Sequence, residues 1–212
     1  LSTIDREDLD ITQTAEFNSR LAAINPEIII NTVAYNAVDQ CETVEGWEMA
    51  KKLNDQILGG LADFCLQHQA TLIHYSTDYV FSGNKPGGYL EGDIPDPISN
   101  YGRSKLLGEQ EVLGRASAGL KYYLIRTSKL FGPCGSGLAK PSFFDIMRRL
   151  AADGGELKVV DGETSCFTYT PDLVKSSWQL AITNQPWGIY HLVNSHPATW
   201  LEGARTLFDL LG

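Results

Sequence analysis

LIHYSTDYVFSG (72–83) and NYGRSK (100–105) are the two segments around which the rest of the chain is organised. The first begins as an apolar run typical of a buried strand and continues into a loop rich in Gly and Pro. Further apolar runs of strand length are EIIINTVA (27–34), KYYLIR (121–126) and IYHLV (189–193). Helical patterns separate these runs, and this alternation predicts an α/β fold with a doubly wound parallel sheet.

Helices are predicted wherever apolar residues recur at spacings of three and four. The longest such pattern runs from Val44 to Gln67 and predicts one long amphipathic helix. Gly59 and Gly60 lie inside it, and each costs about 1 kcal/mol relative to Ala in a helix interior. We therefore expect these glycines to pack closely against a neighbouring element. The other predicted helical segments are 14–24, 100–115, 141–152, 171–183 and 199–210.

Tyr101 and Lys105 are candidate catalytic residues because they are four residues apart, which places both on one face of a helix. An ammonium beside a phenol favours the ionised phenol, so we expect Lys105 to lower the pKa of Tyr101. Thr77, at the end of the preceding strand, adds a hydroxyl. Together such groups can bind a carbonyl oxygen and donate a proton, while a cofactor supplies the hydride. The YxxxK spacing alone is also common on solvated helix faces.

Composition excludes several classes of partner. With 212 residues, a formal net charge of −9 and a pI near 4.9, the chain is not expected to bind nucleic acid or an anionic membrane surface. It has no apolar run long enough to span a bilayer and no signal peptide, which predicts a cytoplasmic protein. The four cysteines lack CxxC spacing and are expected to be reduced thiols. The histidines lack metal-ligand spacing, and His74 is interpreted as a satisfied structural residue.

Glycine patterns do not identify a cofactor site. No GxGxxG or GxxGxxG sequence follows an early strand, although a dinucleotide-binding fold ordinarily begins with one. The one Gly-rich candidate, GPCGSG (132–137), has its glycines in a different order and follows a late strand. We interpret it as a turn.

Several segments together resemble a known family. They are DLDIT (8–12), INTVAYNAVDQCE (30–42), HYSTDYVFSG (74–83), NYGRSKLLGE (100–109) and RTSKLFG (126–132). In this order they resemble the extended short-chain dehydrogenase/reductases, and among these most closely the dTDP-4-dehydrorhamnose reductase family. The resemblance implies a Rossmann-like sheet without its first strand, glycine loop and helix. It also implies an NAD(P)-binding domain over residues 1–140 and a partial substrate-binding region over 141–212, some of which returns to the sheet.

The resemblance implies roles for individual residues. Tyr101 matches the proton donor, Lys105 the lysine that binds the nicotinamide ribose, and Thr77 the hydroxyl that contacts the sugar. The implied cofactor-binding residues are Asp10 and Ile11 beside the adenine, Val33, Ala34 and Tyr35 beneath the cofactor, and Tyr101 and Lys105. The implied substrate-binding residues are Val38, Thr77, Asp78, Tyr79 and Tyr101. Plain strand packing is the alternative for Val33 and Ala34, and a solvated helix position is the alternative for Asn54, which matches a helical Asn of the extended family.

The implied activity is the NADPH- or NADH-dependent reduction of the C4 ketone of a nucleotide-linked 6-deoxy-4-ketohexose, in dTDP-L-rhamnose synthesis. The alternatives are a non-catalytic NADP-binding regulatory subunit and another nucleotide-sugar epimerase or dehydratase. Lys129 replaces the usual Trp of the family, which leaves the sugar open.

The resemblance also bears on cofactor affinity, metal and assembly. The glycine loop is expected before Leu1, so we expect the 212 residues to bind cofactor weakly by themselves. Some relatives use Mg²⁺ at an interface, and no motif locates a site for it in this sequence. A homodimer through the helical segments 44–67 and 100–115 would fit the family.

Overall fold

The computed structural model describes residues 1–5, 7–133, 141–152, 154 and 156–212. Its α-helices are α1 (Thr14–Ile24), α2 (Val44–Lys51), α3 (Ile57–His68), α4 (Asn100–Gly114), α5 (Phe143–Ala152), α6 (Thr170–Ile182) and α7 (Trp200–Leu211). Its strands are β1 (Ile28–Asn31), β2 (Thr71–Thr77), β3 (Lys121–Thr127), β4 (Leu130–Phe131), β5 (Ser165–Cys166), β6 (Thr168–Tyr169), β7 (Gly188–His191) and β8 (Pro197–Ala198). Residues 134–137 of the GPCGSG segment, interpreted above as a turn, lie outside the described residues.

The described chain divides into two compact units. The first comprises Leu1–Arg126 and Gln185–His191, and the second comprises Thr127–Asn184 and Leu192–Gly212. Strand β7 therefore belongs to the first unit although it follows most of the second unit in the sequence. The division falls after Arg126, and the domain boundary at residue 140 stays a prediction.

The first unit contains a four-stranded sheet in the order β1-β2-β3-β7. Strands β1 and β2 pair in parallel with Ile28 opposite Thr71, and β3 and β7 pair in parallel with Tyr123 opposite Gly188. Parallel neighbours need a crossover connection, and helices α2 and α3 lie between β1 and β2 in the sequence, as α4 lies between β2 and β3. This arrangement confirms the predicted α/β class with a parallel sheet.

The core of the first unit forms where α1, α3 and α4 pack against β2 and β3. Burying one large aliphatic side chain contributes about 1.5–3 kcal/mol, so this cluster accounts for much of the stability that fixes the strand ends. Its buried members are Phe17, Leu21, Leu58, Leu61, Ala62, Phe64, Cys65, Ala70, Leu72, Val112, Leu120 and Leu124.

The long helix predicted over residues 44–67 is interrupted. Helix α2 ends at Lys51, a π-helical turn follows over Lys52–Gln56, and α3 begins at Ile57. A π-helical turn accommodates extra backbone without ending the helix, and such turns are frequent at functional sites. The hydrophobic spacing does not reveal it because α2 and α3 both keep their amphipathic pattern.

Glycines allow α4 to approach its neighbours closely. A Cβ atom on Gly108 would collide with the Asn54 carbonyl oxygen, and one on Gly102 would collide with the Tyr79 carbonyl oxygen. The expectation of close packing holds for Gly59, where a Cβ atom would lie 2.6 Å from Glu111 Oε2. It is wrong for Gly60, where nothing lies within 4 Å of the same position.

Gly108→Ala is therefore expected to destabilise the protein by about 1–3 kcal/mol, because the added methyl group forces α4 away from backbone that cannot move easily. Gly60→Ala is the matched control. It lies in open space in another helix of the same unit, and we expect it to stabilise the protein by up to about 1 kcal/mol. Urea denaturation of both variants measures the two effects, and equal stabilities would contradict the close approach.

The second unit is built on aromatic packing. Phe143, Phe167 and Trp200 form a cluster in which the ring centroids of Phe143 and Trp200 are 4.7 Å apart. Lys129 Nζ lies 4.6 Å from the Trp200 ring centroid and 5.1 Å from that of Phe167, and it donates to the Ala198 carbonyl oxygen at 2.8 Å. Lys129, which stands where the family usually has Trp, thus forms cation–π contacts with Phe167 and Trp200 inside this unit.

Candidate active site

The end of β2 and the start of α4 carry the predicted catalytic residues, all within the first unit. Thr77 is buried at the end of β2, and its hydroxyl accepts a hydrogen bond from the Tyr79 N–H at 3.2 Å and donates one to Asp78 Oδ1 at 3.2 Å. The Ser99 hydroxyl caps α4 by accepting a hydrogen bond from the Gly102 N–H at 3.1 Å. Tyr101 therefore lies in the first turn of α4.

Tyr101 is held as a neutral phenol. Burial raises its pKa to about 12, the nearby Asp78 and Cys41 also raise it, and a hydrogen bond with the Thr77 hydroxyl acts in the opposite direction. The Tyr79 ring packs edge-on at 5.6 Å between ring centroids. A general acid must carry its proton before reaction, so this environment suits proton donation.

Lys105 is fully buried one turn after Tyr101, with an exposed fraction of 2%. Its Nζ donates to the Tyr75 carbonyl oxygen at 2.7 Å and lies 3.4 Å from His74 Nε2. Desolvation lowers the pKa of Lys105 to about 8, against the opposing charge of Glu109. The expectation that Lys105 lowers the pKa of Tyr101 is wrong for this structure, since burial dominates the shift and the ammonium contacts other groups.

Asn54 joins the turn after β1 to helix α4 through hydrogen bonds. Its Oδ1 accepts from the Tyr35 N–H at 2.8 Å, and its Nδ2 donates to the Tyr35 carbonyl oxygen at 3.0 Å and to Ser104 Oγ at 2.8 Å. Ser104 Oγ in turn donates to the Tyr101 carbonyl oxygen at 2.7 Å. With 1% of its surface exposed, Asn54 is not the solvated helix residue that was the alternative interpretation.

The residues expected to lie beneath the cofactor follow β1. The Val33 N–H donates to Asn31 Oδ1 at 3.1 Å, and the Val33 side chain is 37% exposed, whereas Ala34 and Tyr35 are partly buried. Plain strand packing does not describe Val33, because it lies after the last residue of β1 and faces solvent in part. Its contact with a cofactor stays a prediction.

Three other residues with predicted ligand contacts lie in loops of the first unit. Asp10 Oδ1 accepts from the Thr12 N–H at 2.9 Å, and Ile11 packs against the hydrophobic core. Val38 is partly buried and directly precedes a short 3₁₀ turn over Asp39–Glu42. The adenine and sugar contacts assigned to these residues stay predictions.

The sequence interpretation missed a buried ion pair beside the site. Arg126 Nη2 lies 2.6 Å from Glu109 Oε2, and the two side chains are 3% and 0% exposed. Ser76 Oγ donates to Glu109 Oε1 at 2.5 Å, and the guanidinium lies 5.0 Å from the Phe81 ring centroid. A Glu four residues after Lys105 on α4 was the available signal, but its partner on β3 could not be inferred from spacing.

Two negative findings apply to the described part of the chain alone. No cluster of three or more His, Cys, Asp or Glu side chains among the described residues is arranged to bind a metal ion. Within the same residues, no helix combines the length and apolar character needed to cross a bilayer.

Comparison with known proteins identifies the family. The RmlD substrate binding domain family matches residues 1–212. The dTDP-4-dehydrorhamnose reductase of Aggregatibacter actinomycetemcomitans is 34% identical over 211 residues, covering 97% of this chain and 68% of that protein. The chain belongs to the dTDP-4-dehydrorhamnose reductase family. This result confirms the resemblance carried by the STDYVF and NYGRSK segments.

Other members of the family agree in sequence and fold. The dTDP-4-dehydrorhamnose reductase of Mycolicibacterium smegmatis is 37% identical over 201 residues, covering 94% of this chain and 58% of that protein. The crystal structure of the Bacillus anthracis dTDP-4-dehydrorhamnose reductase in complex with NADP superposes with a TM-score of 0.88 at 35% identity, covering 98% of this chain and 70% of that one. The Rossmann-like fold is thereby confirmed. This chain spans 58–70% of the lengths of these three relatives.

Proposed function

We propose that the chain contributes the proton-donating half of an NAD(P)H-dependent reductase that acts on the C4 ketone of a dTDP-linked 6-deoxy-4-ketohexose. The observation that carries this proposal is the position of Tyr101. It lies in the first turn of α4 near Thr77 at the end of a parallel strand, burial raises its pKa, and Lys105 follows one helical turn further along α4. Family membership narrows the carbonyl substrate to a nucleotide-linked ketosugar such as the one named for the relatives.

The proposed chemistry divides between two hydroxyls. The Thr77 and Tyr101 hydroxyls bind the ketone oxygen, and Tyr101 transfers its proton to that oxygen as negative charge develops there. The nicotinamide cofactor supplies a hydride to the carbonyl carbon. Since the pKa of Tyr101 is raised to about 12, the phenol keeps its proton throughout the neutral range until the oxygen becomes basic.

The residues available to hold the cofactor fit its chemistry. Lys105 presents a buried nitrogen able to donate to a ribose hydroxyl, and Val33 presents partly exposed apolar surface after β1 for a flat ring system. Asp10 and Ile11 offer a carboxylate and an apolar side chain, the pair proposed for the adenosine end.

Substrate contacts are proposed for the residues around the ketone. Asp78 and Tyr79 follow Thr77 in a 3₁₀ turn, so their side chains leave the sheet at the strand end where Tyr101 lies. Val38 is proposed to add apolar surface for the sugar nucleotide. Lys129 occupies the position where the family usually has Trp, and the identity of the hexose is left to experiment.

Mixing the full-length protein with NADPH or NADH and dTDP-linked 4-keto-6-deoxyhexoses tests the proposal through the loss of absorbance of the reduced cofactor. We expect oxidation of the cofactor that depends on the ketosugar. Cofactor binding without oxidation by any ketosugar would contradict a reductase and favour a regulatory subunit. A changed sugar without net cofactor oxidation would favour an epimerase or dehydratase.

Assembly and location complete the proposal. A homodimer is proposed to use the outward faces of α2, α3 and α4, because the inward face of α4 already packs at Gly108 against the π-helical turn that carries Asn54. A cytoplasmic location is proposed because the substrate is a sugar nucleotide and the buried cysteines Cys41 and Cys65 are free thiols. Any Mg²⁺ requirement is left to a chelation experiment.

A further inference from the structure

His74 lies beside the catalytic lysine in a chain of buried polar groups. Asn31, His74 and Lys105 are 6%, 1% and 2% exposed. Asn31 Nδ2 lies 3.0 Å from His74 Nδ1, and His74 Nε2 lies 3.4 Å from Lys105 Nζ. These three groups connect β1, β2 and α4 inside the first unit.

The backbone determines which atoms donate and which accept in these hydrogen bonds. The Val33 N–H can only donate, so the Asn31 atom that it contacts at 3.1 Å must be the oxygen. The other end of the amide is therefore the NH₂ group, which donates to His74 Nδ1. A neutral imidazole that accepts at Nδ1 carries its proton on Nε2. The side of His74 that faces Lys105 is consequently a donor.

The His74 Nε2–H cannot hydrogen-bond to Lys105 as an ammonium, because an ammonium has no lone pair. It can hydrogen-bond to Lys105 as a neutral amine, which has one. Burial and the charge of Lys105 both lower the pKa of His74 well below its ordinary value, so the ring stays neutral. The remaining charge that acts on Lys105 is that of Glu109, which is paired with Arg126. A neutral Lys105 amine would therefore find both of its partners in place. It would donate one N–H to the Tyr75 carbonyl oxygen and accept the His74 Nε2–H with its lone pair.

We propose that His74 is a positioning residue of the reductase, whose Nε2–H, oriented by Asn31, stabilises Lys105 as an amine after Lys105 has returned a proton to Tyr101. This inference rests on the proposed function. Tyr101 gives its proton to the ketone oxygen and becomes a phenolate. Lys105 Nζ contacts the Tyr75 carbonyl oxygen rather than the phenol, so the proton that it releases restores the phenol through a bridging water molecule. The electron pair left on Nζ then accepts the His74 Nε2–H. A proton from solvent then restores the ammonium.

Asn31→Asp tests which atoms donate and which accept in the hydrogen bonds from Asn31 to Lys105. A carboxylate in place of the amide accepts from His74 Nδ1–H, so the ring presents an Nε2 lone pair to Lys105 and favours its ammonium form. In the full-length protein we expect ¹⁵N NMR to report protonation at Nε2 of His74 in the wild type and at Nδ1 in the variant. The pKa of Lys105, followed by NMR of labelled lysine, should rise by about one unit.

Two further variants separate orientation from added charge. His74→Phe keeps the ring volume and removes the donor, so we expect a raised Lys105 pKa and, in this background, a smaller effect of Asn31→Asp. His68→Phe is the matched control, because His68 stacks on Phe64 at the end of α3, and it should leave the Lys105 pKa unchanged. Nδ1 protonation in the wild type, or an unchanged Lys105 pKa in both Asn31→Asp and His74→Phe, would overturn the proposal.

The pH profile of reduction supplies a second readout. Activity that depends on the Lys105 ammonium is lost as pH rises through the Lys105 pKa, so the alkaline limb should move to higher pH in Asn31→Asp. The NMR measurements need no turnover. If the NMR results agree with expectation but no ketosugar is reduced, the proposed function fails while the hydrogen bonding from Asn31 through His74 to Lys105 stands. If ketosugar is reduced but the NMR results disagree with expectation, only the role of His74 is overturned.

Discussion

Tyr101→Phe should lower the kcat of ketosugar reduction by about 10²–10⁴-fold in the full-length protein while leaving cofactor affinity within a small factor of the wild type. The phenylalanine ring keeps the edge-on contact with Tyr79 and loses only the hydroxyl that hydrogen-bonds to Thr77. Steady-state kinetics and a separate NAD(P)H titration measure the two quantities.

Tyr122→Phe is the matched control for this variant. Tyr122 is on β3 and packs against the core of the same unit, so loss of its hydroxyl should leave kcat unchanged. Full activity of Tyr101→Phe would remove Tyr101 as the proton donor. Equal losses in both variants would point to a fold defect instead.

Glu109→Gln is expected to destabilise the protein by about 3–5 kcal/mol, because it leaves the Arg126 guanidinium buried without its counter-charge. The glutamine side chain still fits the space and can still accept from Ser76 through its oxygen, but its NH₂ group then faces Arg126 Nη2, so the loss combines the missing charge with a lost acceptor. For a chain of this size the melting temperature should fall by about 10 °C. Thermal unfolding followed by circular dichroism measures the shift.

Asp63→Asn provides the contrast. Asp63 pairs with Arg115 at 2.6 Å, but the Asp63 side chain is 49% exposed, and such pairs contribute about 0–1 kcal/mol. We expect the two variants to differ severalfold in their effect on the free energy of unfolding. A small effect of Glu109→Gln would mean that water reaches Arg126.

Much of the fold could be inferred from local patterns. The strands β2 and β3 lie within apolar runs bounded by turns, and α1, α4 and α6 follow the 3.6-residue period, which a single sequence displays directly. The two-residue strands β4, β5, β6 and β8 were missed, because segments this short have no periodicity to detect.

The proximity of the candidate site residues was predictable from the sequence, whereas their electrostatics were not. The spacing of Tyr101 and Lys105 and the position of Thr77 predict that these side chains lie at one strand end, yet the sign of the Tyr101 pKa shift depends on burial by residues distant in sequence. His74 was interpreted as structural because a strand pattern does not reveal what lies across the sheet. Its neighbours Asn31 and Lys105 come from 43 residues before it and 31 after it.

The π-helical turn over Lys52–Gln56 has a consequence for changes in chain length. Deleting one residue there would restore a regular α-helix, but it would rotate everything on one side of the deletion by about 100° relative to the other. Asn54 would then turn away from Tyr35 and Ser104, although every remaining side chain would be chemically unchanged. Natural and engineered variants of this protein should therefore accept many substitutions along the helix surface while keeping the number of residues between Val44 and His68 constant.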